Sequence, residues 1–187
     1  MLFVLALLLL VGCSDQQWRT TDISEIMPAL DFDLVNEDGV EVDETLYEDK
    51  ATLLYFGYTH CPDICPITLA KMASAIRQLD TDAREHIQVL FISVDPRRDT
   101  IDVLRQYTDA FGPEFVGLTG SNADIDAVAN RYRVTYGYGD EDASGNYNVT
   151  HTSAVFAFDQ QGQAAFMIRE GDTLKSIVAD LNRLISL

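Results

Sequence analysis

An α/β fold, a sheet with helices on both faces, follows from three features of the sequence. Two apolar runs, TLLYFG (52–57) and QVLFISV (88–94), are nearly continuous and read as strands buried on both faces. Between them Leu69, Met72, Ala73, Ile76 and Leu79 recur at helical spacing, which predicts a β-α-β unit with parallel strands. The chain has 187 residues, as expected for one compact domain, and its 47% hydrophobic content suffices for a core.

The elements follow in order. Leu2 to Val11 form an unbroken apolar run. A spanning helix needs ~20 residues, so this run reads as the core of a secretory signal covering residues 1–12. It ends LLVGCSD, which resembles the lipobox of bacterial lipoproteins and makes Cys13 the expected lipid-bearing residue. No Lys or Arg precedes the run, so the natural start is expected upstream. Residues 13–30 read as a polar tether, and residues 31–187 as the folded domain. FDLVNEDGVEV (32–42) alternates around Asp38-Gly39, the signature of a β-hairpin.

After the β-α-β unit, a second helix follows Asp99-Thr100, with Leu104, Tyr107, Thr108 and Phe111 on one side. FVGL (115–118) reads as a short strand, and Ile125, Val128, Ala129 and Tyr132 mark a third helix. YGYGDEDASGNYNVTH (136–151) is a Gly- and Asp-rich loop too long for a simple connector. SAVFAF and QAAFMI, joined by DQQG, predict an antiparallel pair, with His151 at the opening of the first strand. Leu174, Ile177, Val178 and Leu181 close the chain on an amphipathic helix. This is the element order of the thioredoxin-like fold with an N-terminal hairpin added.

The net charge is −17, from 30 acidic and 13 basic residues. Such a surface argues against binding nucleic-acid phosphates and suits solubility or a basic partner. With Cys13 assigned to lipid, Cys61 and Cys65 remain as an isolated pair in an exported chain, where disulfides persist. A disulfide closing so short a loop gains little chain entropy, so structural stapling explains the pair poorly. Each cysteine precedes a proline, which disfavours helical geometry and predicts Cys65 as N-cap ahead of Pro66. A thiol at a helix N-terminus is expected to have a lowered pKa.

The histidines are His60, His86 and His151. His86 reads as solvated. His60 adjoins Cys61, but neighbours in an extended segment point opposite ways. In a thioredoxin-like fold the loop before the late strand packs beside the cysteine pair, which makes His151 the candidate third ligand. Two thiolates and an imidazole suit Cu(I) or Cu(II), one per chain, whereas structural zinc wants four ligands.

FGYTHCPDICPITL, SVDPRRDT (93–100) and THTSAVFAFD, in that order, resemble three signatures of the Sco (SenC-like) family of copper chaperones for cytochrome c oxidase. The similarity runs from about Phe32 to the C-terminus. It implies Cys61, Cys65 and His151 as copper ligands, and at Asp95 and Pro96 a shared loop. It further implies copper delivery to the dinuclear copper site of oxidase subunit II, from the periplasmic side of a bacterial membrane to which lipid on Cys13 holds the protein. Other periplasmic copper carriers or thiol-disulfide proteins are further expected partners. An alternative role is a thiol-disulfide reductase keeping that site's cysteines reduced. A peroxiredoxin-type peroxidase carries Thr three residues before its reactive Cys, and here that position is Tyr58.

Overall fold

The structure, a computed structural model, describes residues 17–187. Cys13 and the expected signal segment lie outside the described residues. No helix among the described residues is long and apolar enough to cross a membrane.

The strands are β1 (Thr21–Asp22), β2 (Asp33–Asn36), β3 (Glu41–Asp43), β4 (Ala51–Gly57), β5 (Ile87–Ser93), β6 (Phe115–Thr119), β7 (Tyr136–Tyr138), β8 (Val149–His151), β9 (Val155–Phe158) and β10 (Ala164–Ile168). The helices are α1 (Ile64–Ile76), α2 (Thr81–Glu85), α3 (Ile101–Asp109), α4 (Asn122–Arg131) and α5 (Leu174–Ile185). Eight strands form one sheet in the order β1-β10-β9-β4-β5-β6-β2-β3. The centre is parallel, β4 with β5 and β5 with β6, and both flanks are antiparallel. This is the thioredoxin-like fold, and the β2-β3 hairpin is added at its β6 edge.

Every residue of β4 and β5 is buried, as their continuous apolar runs require of strands covered on both faces. Helix α1 packs with α5, α3 packs on β6, and α4 meets β2. Thr100, Ser121 and Thr173 cap α3, α4 and α5 by accepting backbone N–H bonds, and Ser121 and Asp124 form a reciprocal capping box. Helix α1 lacks such a side-chain cap at Asp63.

Three expectations change. The tether over 13–30 does not persist through its second half. Trp18 packs on Phe166 with ring centroids 4.8 Å apart, β1 adds to β10, and Ile23 and Leu30 join the core. The loop over 136–151 is a ribbon at its two ends, with Tyr136 opposite His151 in the β7-β8 pair. His151 therefore closes β8 instead of opening the strand after it, which begins at Val155.

Candidate metal centre

Strand β4 delivers the chain to the site. It ends at Gly57, where an added Cβ would lie 2.9 Å from the Cys65 sulfur and 2.7 Å from the Phe91 ring. A side chain there would occupy the space of the sulfur, so glycine lets Cys65 sit against the strand end. The Cys61 amide then bonds the Tyr58 carbonyl at 3.2 Å, making a turn with Thr59 and His60 at its tip. The extended geometry expected for His60 is replaced by this turn.

Helix α1 starts at Ile64 with Asp63 as N-cap, so Cys65 lies inside the first turn and Pro66 one position further. Proline fits there because the first N–H groups of a helix have no intrahelical partner. The Cys65 amide donates to the Cys61 sulfur at 3.4 Å, so Cys61 supplies the cap that Asp63 does not. Cys65 is fully buried and Cys61 nearly so. Burial pushes the Cys65 thiol up to about 12, opposed in part by hydrogen bonding to the Tyr58 backbone. The lowered pKa expected at a helix start is overturned for Cys65, because desolvation outweighs the helix end.

His151 arrives from β8. Its Nδ1 lies 3.1 Å from the Thr152 carbonyl, which can only accept. Nδ1 therefore carries the proton and Nε2 presents its lone pair, 3.2 Å from the Cys65 sulfur. Burial lowers the His151 pKa, which favours the neutral, ligating form. The ring is flanked edge-on by Tyr55 and Tyr58, at 6.1 and 5.9 Å between centroids. The ligand atoms of Cys61, Cys65 and His151 all lie within 4.8 Å of one another, and both cysteines are free thiols. Two soft sulfurs and one imidazole nitrogen fit a copper ion. His86 caps α2 and is exposed, as expected.

A polar clamp holds both ligand-bearing segments, and it is built from SVDPRRDT. Asp99 accepts the Thr59 amide at 2.9 Å, the Thr59 hydroxyl at 2.6 Å and the Ser93 hydroxyl at 2.6 Å. This fixes the start of the cysteine turn. Asp95 accepts the Tyr147 hydroxyl at 2.7 Å and pairs with Arg98, whose guanidinium stacks 3.6 Å over the Tyr147 ring and donates to the Tyr147 carbonyl. That grips the segment leading to His151. Sequence reasoning identified the loop at Asp95 and Pro96 but missed the roles of Asp99, Thr59, Arg98 and Tyr147. The available signal was the cluster of charges, Asp95, Arg97, Arg98 and Asp99, directly after a wholly apolar strand.

The sequence pattern of the SCO1/SenC family matches residues 23–186. The mitochondrial SCO1 homolog 1 of Arabidopsis thaliana is 43% identical over 125 residues, which is 67% of this chain and 37% of that protein. The human mitochondrial SCO1 homolog is 38% identical over 133 residues, 71% of this chain and 44% of that one. The match thus spans less than half the length of either mitochondrial protein. Bradyrhizobium japonicum ScoI, solved with copper bound, is 33% identical with a TM-score of 0.75, covering 83% of this chain and 98% of that one. With a family pattern that spans residues 23–186, the chain belongs to the SCO1/SenC family.

Proposed function

We propose that this protein is a copper metallochaperone that holds one copper ion through Cys61, Cys65 and His151 and passes it to the dinuclear copper site of cytochrome c oxidase subunit II. The observation that carries the reading is the convergence of two unbridged thiols and one Nε2 lone pair within 4.8 Å. Three ligands leave copper transferable, whereas a permanent structural site closes its coordination sphere. The copper-bound Bradyrhizobium relative supports the choice of metal. The proposal places the protein on the periplasmic side of a bacterial membrane, held there by lipid on Cys13. Other periplasmic copper carriers or thiol-disulfide proteins are further proposed partners.

Binding must displace the Cys65 proton, because burial keeps that thiol protonated at neutral pH. His151 needs no such step, since its protonated form is disfavoured. Oxidation to a Cys61–Cys65 disulfide would remove both soft donors together. The nearness of the two free sulfurs also supports the second reading, a thiol-disulfide reductase acting on the acceptor's cysteines.

The test separates the two. The reduced full-length protein is expected to bind one copper and the oxidised protein essentially none; equal uptake by both forms counts against the site. His151→Ala should weaken copper affinity at least 10–100-fold, since losing even a partner that only orients a metal ligand costs that much. If cells carrying only this variant still assemble oxidase at limiting copper, the reductase role is the main one.

A further inference from the structure

We infer that the domain rides against the membrane on a four-residue leash, so that copper is handed to an acceptor whose own copper site stands within about 45 Å of the lipid anchor. This rests on the proposed lipid at Cys13 and the proposed copper role of the cluster, and it states where the acceptor must be. The sequence alone reads residues 13–30 as tether, enough to lift a domain about 60 Å off the surface. The structure shortens it. The Arg19 amide donates to both oxygens of the Asp180 carboxylate, at 3.0 and 2.9 Å, and the Thr20 amide and hydroxyl each donate to one of them at 2.8 Å. Trp18 closes over Phe166 and stacks 4.1 Å from the Arg183 guanidinium. From Thr21 the chain is strand β1, and the Ile23 amide adds a bond to the Ala165 carbonyl at 3.1 Å. Asp180 is 2% exposed, so releasing the segment would strip a buried carboxylate of its donors, which is costly. The chain is thus held from Trp18 onward, and residues 14–17 alone separate it from Cys13. The family pattern starts at residue 23, after this clamp.

Strand register locates the clamp relative to the cluster. Thr21 pairs with Met167, Met167 with Phe156, and Phe156 with Leu54. Thr21 therefore lies three strand spacings from β4, about 14 Å, and level with a residue about 10 Å along that strand from Gly57. The Cys65 sulfur sits against Gly57. The cluster is thus about 17 Å from the point where the chain enters the sheet. From Cys13 to Arg19 is six Cα steps, at most about 21 Å when fully extended. Whichever way the domain turns, these lengths keep the cluster within about 45 Å of the lipid-bearing residue, roughly one domain diameter.

A leash this short works through effective concentration. An acceptor in the same membrane meets the copper centre in a layer about one domain deep, whereas a site standing above that layer is out of reach. The hand-off exchanges one copper–ligand bond for another and moves no electron, so the leash changes how often the partners meet and not how tightly copper is held.

The experiment uses the full-length protein on a supported bilayer of phosphatidylethanolamine and phosphatidylglycerol, with neutron reflectometry reading the gap between headgroups and protein layer. The wild-type gap should be no more than about 20 Å. Two variants carry an insertion of about twenty residues between Gln16 and Gln17, one of glycine and serine and one of proline; the stiff proline spacer should widen the gap by about 60 Å and the flexible one by less than half of that. Copper affinity should stay within about twofold in all three, since the insertion lies outside the cluster and its partners. In cells lacking the wild-type protein, the proline spacer should lower copper loading of the oxidase at least about tenfold, while the flexible spacer, which lets the domain return to the surface, keeps most of it. A wild-type gap above about 30 Å overturns the inference, because the clamp then fails to set the length. So does a proline spacer that lifts the domain yet leaves oxidase loading unchanged. Failure of the anchor reading shows separately, as a mature chain whose mass lacks lipid on Cys13, and it overturns the inference as well. If His151→Ala leaves copper affinity untouched, the copper reading fails and the acceptor half of the inference falls with it, whatever the gap.

Discussion

Two buried aspartates, Asp99 and Asp180, solve the same electrostatic problem in different regions. Asp99 is 1% exposed and Asp180 2%. Each carboxylate is met mainly by neutral donors. Asp99 takes the Thr59 amide and hydroxyl and the Ser93 hydroxyl, while Asp180 takes the Arg19 and Thr20 amides and the Thr20 hydroxyl. Buried carboxylates are tolerable only when satisfied in this way. What differs is the cargo of the clamp. Asp99 holds the turn that carries His60 and Cys61, so its geometry reaches the metal centre. Asp180 holds the N-terminal segment that leads into β1, so its geometry reaches only the attachment of that segment. The same chemistry serves a site in one place and the integrity of the domain in the other.

The strongest way to sharpen this contrast is to remove a ligand outright. Cys65→Ser should abolish tight copper binding, because one thiolate and one imidazole hold copper poorly against competing chelators. The Asp180 region should be untouched, read by unchanged Trp18 fluorescence. The wild-type site also predicts a pH effect. Cys65 is raised to about 12, so over the neutral range copper must displace its proton. Apparent affinity should therefore rise by up to about tenfold per pH unit from this thiol. Competition titrations at several pH values measure it; a flat wild-type profile contradicts a protonated Cys65.

Next comes Asp99→Asn, which keeps shape but turns an NH2 toward groups that donate. Copper affinity should fall roughly 10–100-fold, the range for partners that orient metal ligands. Thermal stability should drop too, by roughly 1–3 kcal/mol for a buried donor left unpaired. Unchanged affinity alongside lowered stability would show that the clamp supports the fold and not the site. Tyr147→Phe is the milder version on the His151 side. It deletes the hydroxyl bond to Asp95 and leaves the Arg98 stack in place, so a loss of about threefold in affinity is expected from one hydrogen bond.

The two regions are also unequally legible in the sequence. TLLYFG, QVLFISV and the cysteine turn are local patterns, and the apolar runs announce strands because both faces are buried. The cysteine pair with its prolines marks the site. His151 alone carries no such mark. It reaches Cys65 because β9 pairs antiparallel with β4, with Val155 opposite Tyr55, and no local pattern encodes that register. The sign of the Cys65 shift is illegible for a similar reason, since a helix start is visible in sequence and the depth of burial around it is not. The Asp180 region is hidden altogether. Residues 18–30 carry no readable pattern because what packs them lies far along the chain, Phe166 against Trp18 and Asp180 against Thr20.

The smallest expected effect on copper is the most exacting test of the comparison, Asp180→Asn. It makes the same chemical change as Asp99→Asn, at equal burial, so the stability cost should be similar, roughly 1–3 kcal/mol. The consequences should differ. The Arg19 and Thr20 amides lose their acceptor, and Trp18, held 4.8 Å from Phe166 and 4.1 Å from the Arg183 guanidinium, loses its neighbouring anchor. Trp18 is the only tryptophan of the chain, so its emission reports this segment alone. It should shift to the red toward the denatured value, and trypsin should cut after Arg19 well before the domain unfolds. Copper affinity should stay within about twofold of wild type, as for sites that share no partners. If Asp180→Asn instead lowers copper affinity as far as Asp99→Asn does, the two clamps belong to one cooperative unit. The N-terminal segment would then be part of the metal centre's support, linked to it through α5 and α1, which pack together.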